Sequence, residues 1–244
     1  MSSATVRRKR LSRYSQRLAL QEKKRFAGVF EWLARKIEND NSDKFADGFE
    51  VDYDGFSERM KNSLLRSYEK TSYRFSDYIS KLFNFDLDND EIRAVANQAV
   101  REYSQKHAAK KVQSITETTR ELINNLVTKQ QQEGRNIRVI ANNLVERVED
   151  MSDARAMTIA RTETSINLSN TNNLTASKAG MKKKTWRHVG AGQDHRENHK
   201  ALDGKTVKIH EPFDLGNGIT AMYPHDPELP PGEVINCYCI VTYS

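Results

Sequence analysis

The sequence predicts an α+β protein, with a long-helix N-terminal part followed by a small α+β C-terminal domain with short strands. Three observations carry that reading. Apolar residues recur at three- and four-residue spacing up to about residue 180. All five prolines and seven of the eleven glycines in the 244 residues lie from Gly180 onward. Hydrophobic content is 37 % and charged content 30 %, a balance that suits long helices whose polar faces consume residues without burying them.

The first helix is marked by Leu11, Tyr14, Leu18, Val29, Leu33 and Ile37, and the acidic, Asn- and Gly-bearing stretch 38–55 after it reads as a loop. Met60, Leu64, Tyr68, Phe75, Ile79 and Leu82 give a second helix over 56–83. "DLDND" at 86–90 has the start of a calcium loop but lacks Gly at its sixth and Glu at its twelfth position, where Glu91 and Asn97 stand. Asp88 or Asp90 is instead expected to cap the next helix. That third helix should run from Ile92 through Tyr103, Val112, Ile115 and Leu122 to a turn at Gly134, with no glycine or proline to interrupt it. Ile137, Ile140, Leu144 and Val148 mark a short fourth helix, and Ser152 would cap a fifth that ends at Gly180.

Beyond Gly180, 183–189, 205–210 and 233–243 read as strands, and "YPHDPELPPG" as a proline-stiffened loop. The expected organisation is a basic helical region 1–89, a helical region 90–180 and a small α+β cap 181–244.

Charge is unevenly placed. Residues 1–30 hold nine Lys/Arg and one Glu, so the remainder of a chain of net charge +6 is slightly acidic. The arm residues Arg7, Arg8, Lys9, Arg10, Arg13 and Arg17 fit contact with phosphate or with an acidic protein surface. No apolar run approaches the roughly 18 residues that span a bilayer, and no apolar segment follows the basic N-terminus, so neither membrane insertion nor a signal peptide is expected.

Chemistry concentrates at the C-terminal end. On a helical turn His195 and His199 would share a face, and on a strand Cys237 and Cys239 would share one too. Two imidazoles and two thiolates suit tetrahedral zinc. The same cysteines also complete an apolar face with Ile235 and Val241, where packed thiols need no metal, and a redox pair is the third reading. Asp194, His195, Glu197 and His199 could serve metal-assisted phosphodiester hydrolysis, but no phosphate-cradling glycine loop, nucleophile elbow or H-E-x-x-H accompanies them. A structural module is the simpler reading, and the chain is expected not to be an enzyme.

"RAMTIARTETSINLSN" at 155–170, Trp186, "DHRENHKALDGKTV" at 194–207 and "PPGEVINCYC" at 230–239 resemble the phage Mu protein F-like minor head proteins, the phage head morphogenesis family. Arg161, Glu163, Trp186, Arg196, Asp203, Gly204 and Asn236 occupy positions matching the family's structural pattern. Asp194, His199, Cys237 and Cys239 are the metal set this resemblance favours, with zinc as the ion; His195 lies outside the pattern. Tyr238 stands where the family often has Arg, which replaces a charge with a packing surface. The resemblance covers roughly 90–240 and implies a minor head protein of a tailed phage or prophage. Such a protein would act at the portal vertex, with portal, major capsid or scaffold proteins and DNA as partners. It would reside in the host cytoplasm during assembly and in the head interior of the virion afterwards. A metal-dependent nuclease and a non-catalytic DNA-binding ejection protein are the alternatives.

Overall fold

The structure, a computed structural model, describes residues 3–41, 50–189 and 196–244. Five long helices come first: α1 (Ser3–Asn41), α2 (Tyr53–Phe83), α3 (Asn89–Lys106), α4 (Ala108–Gln132) and α5 (Ile137–Lys178). The small C-terminal part follows as β1 (Lys183–Arg187), α6 (Glu197–Ala201), β2 (Thr206–Lys208), β3 (Phe213–Gly216), β4 (Ile219–Ala221), α7 (Pro231–Val234) and β5 (Ile240–Tyr243). The α+β class with long N-terminal helices holds.

Local chemistry sets the helix starts. The Asp52 carboxylate accepts from Gly55 N at the head of α2 (2.7 Å), and Asp88 and Glu91 form a reciprocal capping box at α3. Asn136 accepts from Val139 N and starts α5. Two helical expectations need correction. The predicted third helix is two: at His107 the backbone departs from helical geometry (φ −124°), which separates α3 from α4. The predicted fourth and fifth helices are one. Ser152 is buried inside α5 and caps nothing, because nothing between 137 and 178 forces the helix to stop.

Helix α5 is the spine. Helix α1 lies along it most extensively, and α2 and α3 cover further faces. Phe26, Phe30, Leu33, Phe56, Met60, Tyr68, Tyr103, Val148 and Ala160 belong to the same apolar cluster as Trp186, Phe213, Val234 and Tyr243 of the C-terminal part. One continuous core therefore joins helices and cap.

Side chains on α5 that look too polar for a core are satisfied inside it. Asn167 accepts from Ser72 (2.9 Å) and donates to Thr71 (2.6 Å) of α2. Asn172 donates to the Val241 carbonyl (3.0 Å), while Asn170 and Asn173 accept from Tyr223 and Tyr243 (both 3.2 Å). The segment "INLSNTNN" is thus a hydrogen-bonding seam onto α2 and the cap, which lets a polar helix face stay buried.

In the cap, β2, β1 and β5 form an antiparallel sheet in that order, and β3–β4 form a separate hairpin. The hairpin turns at Asn217 (φ 53°) and Gly218 (φ 76°), the left-handed pair that tight hairpin turns require. The predicted strand over 233–243 is shorter than expected. Pro230 and Pro231 start the helical turn α7, Asn236 adopts φ 58°, and strand pairing begins only at Ile240.

Candidate metal centre

Leaving the strand early is what brings the cysteines together. In an extended strand, residues two apart are roughly 6.5 Å apart along the chain. In the turn after Asn236, the Cys237 and Cys239 Sγ atoms and an imidazole nitrogen of His199 all lie within 4.8 Å of one another, and all three residues are buried. Cys239 N–H donates to Cys237 Sγ (3.4 Å), as a turn permits and an extended strand does not.

The matching motif residues build this geometry without entering it. Arg196 donates from Nε to the Gly232 carbonyl (2.6 Å) and from a terminal nitrogen to the Ile235 carbonyl (2.7 Å), clamping the segment that leads into Cys237. The Asp203 carboxylate accepts from the His188 backbone N–H (2.9 Å). Gly204, at φ 84°, donates to the Trp186 carbonyl (2.9 Å) and fixes the turn behind β1. Trp186 is fully buried, edge-on to both His199 and Phe213. Asn236 supplies the left-handed turn that a short polar side chain tolerates.

His199 sits on α6 with Nδ1 facing the thiols, 3.5 Å from Cys237 Sγ and 3.8 Å from Cys239 Sγ. Its Nε2 is 2.8 Å from the Glu233 carboxylate, a short contact that is poorly aligned for an N–H donor. Asn198 donates to the same carboxylate oxygen (3.3 Å). On the other side, His188 Nδ1 lies 3.5 Å from Cys239 Sγ. The thiols share their protons unequally. Hydrogen bonding between them raises the Cys239 pKa to about 12, with burial adding to it, and lowers that of Cys237. The buried His225 braces the turn from below, its Nε2 2.8 Å from the Cys237 carbonyl, and burial lowers its pKa.

Asp194 and His195 lie outside the described residues. Of the expected metal set, the structure brings together His199, Cys237 and Cys239. His188 and Glu233 had not been singled out: His188 is one position beyond β1, and no spacing rule links it to residues 51 positions away. Glu163 is buried on the helical side, accepting from Tyr103 (3.0 Å) and, more loosely, Tyr68 (3.5 Å), so its partners lie on α3 and α2 and not on the cap. Burial raises its pKa. Arg161 is exposed and lines a narrow cavity between α1, α5 and the Cys237–Cys239 turn.

The basic arm is the first turns of α1. Lys9, Arg10, Arg13 and Arg17 are exposed, Arg7 is half-buried over the Phe83 ring, and the Arg8 side chain lies outside the described residues. Arg10, Arg13, Arg17, the exposed Leu20 and Lys24 follow one another along a single face.

Residues 121–242, from the middle of α4 to β5, match the phage Mu protein F-like family. Helix α5, the cap strands and the motif-built turn thus fall inside the matched stretch, and α1, α2 and α3 lie before it. The chain belongs to that family. A relative, the uncharacterized protein YqbB of Bacillus subtilis (strain 168), is 41 % identical over 69 residues. That stretch is 28 % of this chain and 23 % of YqbB, so the chain matches under a quarter of the relative's length. No solved structure matches the chain. Among the described residues, no helix is long and apolar enough to cross a membrane.

Proposed function

We propose that the chain is a non-enzymatic minor head protein of a tailed phage or prophage that joins the portal vertex during head assembly and accompanies DNA packaging or ejection. The observation that carries this reading is the family match across the second half of α4, α5 and the cap as far as residue 242. The basic face of α1 supports an acidic partner. Among the described residues Arg10, Arg13, Arg17 and Lys24 enter no ion pair, so their charge is open to solvent. Portal protein is the first partner to test, with major capsid or scaffold protein next.

The test is affinity purification of the tagged chain from cells producing particles, followed by mass spectrometry of its companions and of purified heads. Recovery with portal protein, in few copies per particle, is the expected result. Absence from particles together with recovery alone overturns the reading. DNA is the second candidate for the same face, because exposed arginines along one helix suit phosphate contact. It predicts duplex binding that weakens steeply with salt.

A further inference from the structure

We propose that His188, His199, Cys237 and Cys239 form a tetrahedral Cys2His2 site for one zinc-like divalent cation, which locks the Cys237–Cys239 turn to β1 and α6. The inference is independent of the portal reading and replaces Asp194 with His188 as the fourth donor.

Distances come first. With zinc–sulfur bonds of about 2.3 Å and zinc–nitrogen bonds of about 2.0–2.1 Å, the sulfur–nitrogen edge of a tetrahedron is about 3.6 Å. Three of the four sulfur–nitrogen edges are at 3.5, 3.8 and 3.5 Å, and His188, outside the 4.8 Å span that holds the other three donors, would close the fourth edge to Cys237 by turning inward. Hydrogen bonding alone accounts for them poorly. His199 Nδ1 has one in-plane lone pair yet faces two sulfurs, at 3.5 and 3.8 Å. One cation between His199, Cys237 and Cys239 would satisfy all three donor atoms, and His188, already beside Cys239, would complete the set.

The surroundings fit a ligand role. The Glu233 carboxylate lies 2.8 Å from Nε2, within reach of an N–H there once a small ring rotation aligns it, which would leave the Nδ1 lone pair for a metal. Asp203 fixes the His188 backbone, and Arg196 fixes the segment leading to Cys237. The donors come from three separate stretches of chain: the end of β1, α6, and the turn before β5. A cation would therefore cross-link the cap in the way that small metal-bound modules use to offset a small core. Two nitrogen and two sulfur ligands select zinc over magnesium or calcium, which take oxygen.

The experiment uses the full chain with a tag free of histidine, purified reduced, with metal content measured by mass spectrometry and cobalt(II) used as a spectroscopic probe. The expected result is one zinc per chain. Cobalt should give the intense visible bands of a tetrahedral site with a thiolate charge-transfer band, and zinc should abolish them. Cys239→Ser should lose the charge-transfer intensity and bind zinc at least about a hundredfold more weakly. His188→Ala, at a half-buried position where folding should survive, should alter the cobalt spectrum, weaken zinc by about tenfold or more, and reduce the rise in Tm that zinc gives the native chain. Asp194→Asn should leave spectrum and affinity unchanged. A folded, reduced chain with no bound metal and no tetrahedral cobalt spectrum overturns the proposal, as does a Cys237–Cys239 disulfide in protein handled without oxidant. Sensitivity to Asp194→Asn with indifference to His188→Ala overturns the assignment of the fourth donor.

Discussion

Glu163 shows how a single residue can hold an acid inside a helical core. Its carboxyl is buried between Tyr68 and Tyr103, whose rings stack 3.5 Å apart, and burial favours the protonated form. A carboxyl whose folded pKa is raised binds more protons in the folded than in the unfolded chain. Its contribution is therefore complete below its unfolded pKa and is lost as pH rises through the folded value. Stability should decline as pH rises from about 4.5 upward, and Glu163→Gln, which keeps an acceptor for the tyrosines, should flatten that decline. Urea melts of both chains across that pH range provide the check, and parallel profiles would refute it. Arg196 makes the opposite kind of contribution, holding two carbonyls from one planar group. Arg196→Ala should cost about 1–3 kcal/mol by thermal melting and speed the reaction of Cys237 and Cys239 with a thiol reagent. Unchanged thiol reactivity would show that the turn holds its shape without the clamp.

At the scale of elements, the seam between α5 and the cap carries the most consequence. Removing the Asn172 amide leaves the Val241 carbonyl without its side-chain donor inside the protein, so Asn172→Ala should cost about 1–3 kcal/mol. Denaturant unfolding measures it, and a change under about 0.5 kcal/mol would mean that water takes over the bond. This seam was hard to read in the sequence. "INLSNTNN" looks like a frayed polar helix end until its partners on α2, β5 and at Tyr223 before α7 are in place. Helix positions elsewhere were legible because Leu11, Leu18, Leu33 and Met60, Leu64, Tyr68 keep a strict apolar stripe. The break at His107 was not, since Tyr103 and Val112 continue the stripe on both sides of it. The β3–β4 hairpin was announced by Asn217-Gly218, a signal passed over in a glycine-rich stretch. At the proposed metal site, the sequence marked His199 and the cysteines through motif spacing. His188 was invisible because only the fold brings the end of β1 against the last turn.

For the whole molecule, the core that runs from Phe26 to Tyr243 matters more than the composition boundary at Gly180. A shared core predicts one cooperative melt in place of separate transitions for helices and cap, with calorimetric and van't Hoff enthalpies that agree. Two resolved transitions would contradict it. The same packing governs how the basic arm should be probed. Deleting residues 1–25 would also remove the buried Leu11 and Leu18, so lost binding after that deletion mixes charge with folding. Replacing Arg10, Arg13 and Arg17 together with Ala should leave stability within about 0.5 kcal/mol. If the face binds duplex DNA, the same change should lower the salt slope of binding by up to about 3. Intact portal recovery and an unchanged salt slope in this variant would remove the arm from both roles.

Helix α5 also offers a means of locating the protein inside a particle. Its 42 residues run without a break, so at about 1.5 Å per residue it is a rod of roughly 63 Å. A straight feature of that length remains visible as a tube in density too coarse to show side chains. Its two ends are distinguishable: the cap sits at the Lys178 end and the α4–α5 turn at the other. If the protein occupies the portal vertex as proposed, an asymmetric reconstruction of that vertex would give the direction in which the molecule points, before any residue can be traced.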